Sequence, residues 1–591
     1  MLNFSYALLL FTAILTFVYL LLMIISSSKI EKERICEGEQ RNVSSRVIIF
    51  VAYLLAGLQT FVGYLWKDSL IYLLLFPVIT LLLLILISRA SAYKTHVIGL
   101  TVYLHLLVLS LISLPSGVFI TETTPASVML DRTGVWNPVW NLLNPYYNPF
   151  PMQQGLYCVF SKITGINYVS YVFSWLIDLF FVIAYDLTLF TISKRLSGNW
   201  RIGCLSVILL SFTPSLVINP QPQWLANLFI LVFMLGLFKA LKDTPSFSSI
   251  VLVNLSYATA ILLHGTAAIG MVVVSVLLIL MFFGRKFGVN IATTAHHRSF
   301  VYVVSISVYV MTLGRWVVLG GITSVISPLR GLVNDILGYG EVSGVSAQYV
   351  PLYNQFVSPI IAYAWSVPIS LAIAFLLYHF VNRVQKKTLN VVFLSSLSVA
   401  AAGLAFGGLV GSVFVANANL QRYLGYAGMA LFIPVAAVVG IKIIQSLSWK
   451  IVGIGLISIV LFSGIGVCDP AFSPQLYREI KTVNPTSSAD LIEGKTLYGI
   501  LSERTYVVST YEVLTALWYL SIVPESSGKS IRFYASSLKT HRIMIDKLMY
   551  EKEVASGITY IWSPEILSVA NETLANVVYN SGRHVAVGRG G

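Results

Sequence analysis

The sequence predicts a polytopic α-helical membrane protein of about 14 spans with a small C-terminal α/β domain on the outer side. Three observations predict it. Only 10% of the 591 residues are charged while 57% are apolar, and mean hydropathy is +0.81; a soluble domain carries about 25% charged residues. Apolar runs long enough to cross ~30 Å of hydrocarbon recur along the chain. Lysine and arginine collect in every second connection, as the positive-inside rule demands. This composition excludes a disordered chain and a collagen-like fibre, and four cysteines are too few for a disulfide scaffold. A net charge of +14 would suggest nucleic acid in a soluble protein; here it sets orientation, and nucleic acid is not an expected partner.

The runs lie near 6–27, 47–65, 70–88, 97–114, 166–192, 202–219, 224–241, 248–264, 266–283, 300–320, 357–381, 389–415, 422–441 and 451–467. Of the 38 basic residues, 20 fall in alternating connections, from Lys29 and Arg34 through Lys194, Arg195 and Lys242 to Lys442 and Lys450. Six occupy the opposite connections and membrane ends: Lys67, Arg132, Lys162, Arg315, Arg330 and Arg422. The basic side is therefore cytoplasmic, and both termini are expected outside the cell on a multi-pass plasma-membrane protein. The first run lacks a basic leader and is followed by Lys29 and Lys32, so it reads as a retained span. Cys36, Cys158, Cys204 and Cys468 show no zinc-type spacing; a Cys158–Cys468 bridge requires the fold to bring them together.

Three outward segments exceed simple turns: 115–165, 321–356 and the tail 468–591. In the tail TYVVST (505–510), SIRFYAS (530–536), GITYIW (557–562) and HVAVG (584–588) read as strands. YEVLTALWYLS (511–521), RIMIDKLMYEKEVA (542–555) and EILSVANETLANVVY (565–579) read as helices. That alternation predicts a parallel sheet. No GxGxxG or P-loop supports nucleotide binding there.

Ionisable groups inside or at the edge of a membrane are expensive, so each is a candidate for function. They are His105, Asp178, Asp186, His264, Arg315 and Arg422, with Glu122 and Asp131 in the first large outward loop. That loop runs ITETTPASVMLDRTGVWNPVWNLLNPYYNPFPMQQGLYCVFSKITGI. Its length predicts short helices lying along the membrane surface, with Trp136, Trp140, Tyr146 and Tyr147 suited to the interface. Asp178 and Asp186 are eight residues apart, on nearly one helix face, and read as hydrogen-bonding groups between helices. Arg315, inside MTLGRWVVLGG, needs a cavity or a partner such as Asp178 or Asp186. His105 reads as a satisfied core residue.

The acid, the Gly-Val-Trp and the Tyr-Tyr-Asn-Pro-Phe-Pro of this loop resemble the GT-C integral-membrane glycosyltransferases, a group that includes oligosaccharyltransferases, protein O-mannosyltransferases and aminoarabinose transferases. ILLHGTAAIGMVVVSVLLIL (261–280) and NANLQRYLGYAGMALFIPVAA (417–437) are similar to that family's His-containing hairpin and Arg-Tyr helix start. The resemblance implies a GT-C-like core over 97–467, three additional helices over 1–96, and the extracytoplasmic domain over 468–591. It implies transfer of a sugar from a polyprenyl-phosphate-linked donor to a protein, lipid or glycan acceptor outside the membrane. Glu122 matches the family's first-loop acid, twelve residues before Gly134, with Asp131 the competitor. Arg422, Arg315, His264, Tyr146, Tyr147 and Gln223 are the matching candidates for substrate contact. The loop INPQPQW (218–224) has Gln221 and Gln223 but no carboxylate, which argues against a divalent metal and leaves no cofactor assigned. Two other classes fit a polytopic chain: a lipid or solute transporter or flippase, and a non-catalytic envelope-assembly protein. No paired halves recur, and most candidate residues fall at the outward edge, which favours chemistry at a membrane face over alternating access.

Overall fold

Apolar runs in hydrocarbon satisfy their backbone polar groups by forming helices. The computed structural model describes residues 43–66, 70–89, 93–108, 124–137, 151–167, 170–211, 222–283 and 294–318, the short stretches 373–374, 433–438 and 441, and five strands after residue 505. Helices are α1 (Val43–Trp66), α2 (Leu70–Arg89), α3 (Lys94–Val108), α4 (Thr124–Thr133), α5 (Met152–Thr164) and α6 (Tyr171–Ser197). There follow α7 (Trp200–Ser211), α8 (Pro222–Lys242), α9 (Phe247–Leu263), a 3-10 turn (Gly265–Ala268), α10 (Ile269–Phe283) and α11 (Ala295–Val318). Nine of the expected spans coincide with described helices. Val172–Ser197, Leu225–Lys242 and Ala295–Val318 are long and apolar enough to cross a membrane by themselves, and five shorter apolar helices accompany them. The first run and most of the four between 357 and 467 lie outside the described residues.

The chain divides into two units, residues 1–113 with 178–477, and residues 114–177 with 478–591. In the first, the helices are apolar on both faces. Along α11 the buried set Val301, Val304, Val308 and Thr312 follows helical spacing, and the opposite face exposes Ile306, Val310, Leu313 and Val317. On α1, Ile49, Ala52, Ala56 and Val62 are buried while Phe50, Leu54, Leu58 and Phe61 are exposed. Such broad exposed apolar stripes belong against lipid, not water. The helices are held together by side-chain hydrogen bonds across their contacts. The hydroxyls of Thr60 and Tyr103 tie α1 to α3, those of Tyr257 and Thr312 tie α9 to α11 at 2.7 Å, and those of Ser275 and Tyr309 tie α10 to α11 at 2.5 Å.

Local chemistry sets the turns. Gly198, at φ 72°, reverses the chain after α6, and the Asn199 side chain accepts from the Arg201 N–H to start α7. Ser246 caps α9 by accepting from the Ser249 N–H at 3.2 Å. At the start of α11, His297 Nε2–H donates to the Asp243 carbonyl at 3.0 Å, so its Nδ1 accepts from the Thr294 hydroxyl at 2.7 Å.

In the second unit the tail forms a five-stranded sheet of order β2-β1-β3-β5-β4. The strands are β1 (Tyr506–Ser509), β2 (Arg532–Phe533), β3 (Ile558–Trp562), β4 (Val577–Asn580) and β5 (Val585–Val587). Four fall inside the runs read as strands. β1 pairs in parallel with β2 and β3, as expected, with Tyr506 opposite Arg532 and Ile558. Two expectations are corrected. The run 565–579 does not end as a helix, because Val577, Val578 and Tyr579 enter β4, as β-branched and aromatic side chains favour. The sheet is not wholly parallel: β5 runs antiparallel to both β3 and β4. Only four residues, 581–584, separate β4 from β5, too few for the crossover that parallel strands need. The helices expected at 511–521 and 542–555 lie outside the described residues.

Close packing leaves Gly203 no room for a side chain. A Cβ at Gly203 of α7 would stand 2.5 Å from Phe190 Cδ2 and 2.9 Å from the Phe190 carbonyl oxygen, whereas one at Gly99 of α3 would meet nothing within 4 Å. Gly203→Ala is expected to destabilise the protein by about 1–3 kcal/mol, the usual cost of overpacking, and Gly99→Ala to leave the thermal midpoint in nanodiscs unchanged.

Candidate functional site

The loop over 115–165 contains short helices, as its length predicts. α4 ends where Gly134 takes φ 69° and its N–H donates to the Leu130 carbonyl at 2.9 Å. α5 ends identically on Gly165, φ 68°, donating to Ser161 at 2.7 Å. Both glycines occupy the left-handed conformation that terminates a helix cheaply only without a side chain. Between the caps an apolar cluster forms from Val128, Tyr157, Cys158, Phe173 and Ile177, with Leu130, Phe160 and Ile166 packed against it. Phe173, from the start of α6, meets the edges of Tyr157 and Phe160 at 5.8 and 5.7 Å. The Cys158 thiol donates to the Ser127 carbonyl at 3.3 Å. Cys468 lies outside the described residues.

On the surface of this helix pair Lys162 Nζ lies 2.9 Å from Asp131 Oδ1. Lys162 is 67% exposed and Asp131 28%. The hydrogen bond from the lysine to the carboxylate, and then the charge of Asp131, raise Lys162 above the ordinary lysine value of 10.5. The pair is thus complete at neutral pH, and its contribution is lost as the pH rises through the raised lysine value. In water such an exposed pair orients more than it stabilises.

Among the other candidates, Glu122, Tyr146, Tyr147 and Arg422 lie outside the described residues. Gln223 belongs to the first turn of α8.

His264 and Arg315 come to one place. α9 stops at Leu263, and His264 is extended, φ −155° and ψ 146°, before the 3-10 turn carries the chain into α10. Arg315, buried near the end of α11, donates from one Nη to the carbonyls of Ile261 and Leu262, the latter at 3.0 Å. A cation on the last carbonyls of a helix meets both the unsatisfied acceptors and the negative end of its dipole. The pairing of Arg315 with Asp186 expected as one alternative is not what forms: Asp186 Oδ1 accepts from His105 Nδ1–H at 2.8 Å.

No family model and no curated protein matches the sequence. Solved structures do resemble the chain. One is an oligosaccharyltransferase from Archaeoglobus fulgidus in complex with Zn and sulfate, 8% identical over 79% of this chain and 68% of that one, with a TM-score of 0.49. A second is AglB from the same organism in complex with an inhibitory peptide and a dolichol-phosphate, at 10% identity, 74% and 61% coverage and a TM-score of 0.42. A third is ArnT from Cupriavidus metallidurans bound to undecaprenyl phosphate, at 14% identity, 84% and 98% coverage and a TM-score of 0.33. The chain thus spans 61% of the AglB chain. These neighbours are GT-C glycosyltransferases, the family whose loop motifs the sequence resembles.

Two features of the loop escaped the sequence. Lys162 partners Asp131 from a different helix, 31 residues on, so no local spacing announces it. Gln154 of α5 is fully buried, yet among the described residues neither atom of its amide has a hydrogen-bond partner; the sequence around a glutamine carries no signal of that. Cys158 reports on the integrity of this packing. With the other three cysteines replaced by alanine, Cys158 is expected to react with a membrane-impermeant maleimide at least about 10-fold more slowly than a cysteine at the exposed neighbouring position in Val159→Cys. Equal rates would mean that the helix pair is open.

Proposed function

We propose that the protein is a membrane glycosyltransferase that moves a sugar from a polyprenyl-phosphate-linked donor to an acceptor on the extracytoplasmic face. The observation that carries the reading is the loop between α3 and α6. Glu122 stands just before α4, Asp131 near its end and Trp136 beyond its glycine cap, and Tyr146, Tyr147 and Pro151 precede α5. The two helices pack on their own apolar cluster, and Asp131 stands on the first of them.

The chemistry requires few groups. An acceptor hydroxyl or amide attacks the anomeric carbon; its proton passes to a carboxylate, the bond from that carbon to the phosphate oxygen breaks, and the polyprenyl phosphate leaves with the electron pair. Glu122 is the proposed base, since Asp131 already carries the Lys162 ammonium on one oxygen. Arg422 supplies the planar fork of donors suited to the departing phosphate. Arg315 holds the end of α9 and with it the His264 segment, which we assign to the carrier. Tyr146, Tyr147 and Gln223 are proposed sugar or acceptor contacts. Donor and acceptor are set here only by class.

The test is consumption of labelled polyprenyl-phosphate sugars in native membranes at matched expression. Glu122→Gln is expected to lose ~100-fold or more of the rate, as removal of a general base does, and Asp131→Asn to lose less. A Glu122→Gln protein working at the wild-type rate would falsify the assignment of the base.

A further inference from the structure

The hydrogen bond between His105 and Asp186 joins α3 to α6, the two helices that lead into and out of the outward loop. His105 and Asp186 are 1% and 0% exposed. His105 lies eleven residues from Lys94, and Asp186 eight from Lys194, which puts the pair about 12–16 Å from the basic helix ends, well inside both helices.

Stability alone does not account for such a pair. Among the described residues His105 Nε2 and Asp186 Oδ2 have no hydrogen-bond partner, so each residue leaves one buried polar atom outside the pair's bond. Two well-packed apolar side chains would hold these helices at least as firmly, because the cost of desolvating ionisable groups offsets their attraction. What an apolar pair lacks is register. Leucine slides against leucine, whereas a displacement of one turn, about 5.4 Å, would separate the histidine from the carboxylate and strand both in hydrocarbon. α6 is also continuous from Tyr171 to Ser197: it bears Phe173 and Ile177 in the apolar cluster of the loop and Asp186 further along the same rod.

We propose that His105 and Asp186 are positioning residues, a buried lock that fixes the register of α3 against α6 and thereby the geometry of the loop strung between them. The consequence for catalysis rests on the transferase reading above. The lock itself does not.

The experiment uses the full-length protein in nanodiscs and reads three quantities: thermal midpoint, amide hydrogen exchange in 124–133 and 152–164, and donor turnover. The double variant His105→Leu/Asp186→Leu removes the lock without leaving a lone partner. It is expected to keep the wild-type midpoint or exceed it, to exchange faster in both loop helices, and to lose about 10-fold or more in kcat with KM for the donor unchanged, as displacement of a catalytic group does. Asp186→Asn retains an acceptor for His105 and is expected to restore protection and turnover to within about threefold of wild type. Wild-type exchange in 124–133 and 152–164 in the double variant overturns the proposal. A fallen midpoint with exchange raised along the whole chain also overturns it, since that is general destabilisation. If the wild type consumes no donor, the transferase reading fails, and exchange in the double variant and in Asp186→Asn still decides the lock.

Discussion

Inside hydrocarbon a polar group cannot turn to water, and this constraint organises everything described in the first unit of the chain. Three ionisable side chains there have visible solutions. His105 and Asp186 share one hydrogen bond across two helices. Arg315 takes the open carbonyls at the end of α9. Hydroxyl pairs such as Tyr257 with Thr312 settle the smaller debts within the helix contacts. Each solution fixes one helix against another, so the requirement for satisfaction supplies specificity that uniformly apolar surfaces lack.

The loop over 115–165 obeys different physics. Its helices α4 and α5 are too short to persist alone, and they hold because glycine caps close their ends and a cluster of Val128, Tyr157, Cys158 and Phe173 fixes their contact. Charge sits outside that cluster, where Asp131 and Lys162 meet in partial contact with solvent. The loop thereby keeps the Asp131 carboxylate on a packed support outside the apolar cluster, the combination that positioning of a polar group requires.

The helices were legible because the hydropathy signal is strong: nine apolar runs overlap described helices. The loop helices were legible in outline, since Gly134 and Gly165 mark their ends. The tail was harder. Val577–Asn580 follows a helical pattern that continues up to it, and only the short gap to Val585 betrays the hairpin. Partners distant in sequence were not legible at all. Asp186 could be expected to bond between helices, but its choice of His105 over Arg315 depends on packing that periodicity does not encode. Asp131 could be read as a candidate acid, while the ammonium on it comes from 31 residues away.

The central claim is that the donor is split, not carried. The most direct measurement follows a doubly labelled polyprenyl-phosphate sugar, one label in the sugar and one in the lipid, in sealed vesicles containing the purified protein and a mixed pool of acceptors. The account predicts that the labels separate, with free polyprenyl phosphate appearing in step with sugar on a second molecule. Labels that stay together while the lipid crosses the bilayer would contradict it and identify a transporter.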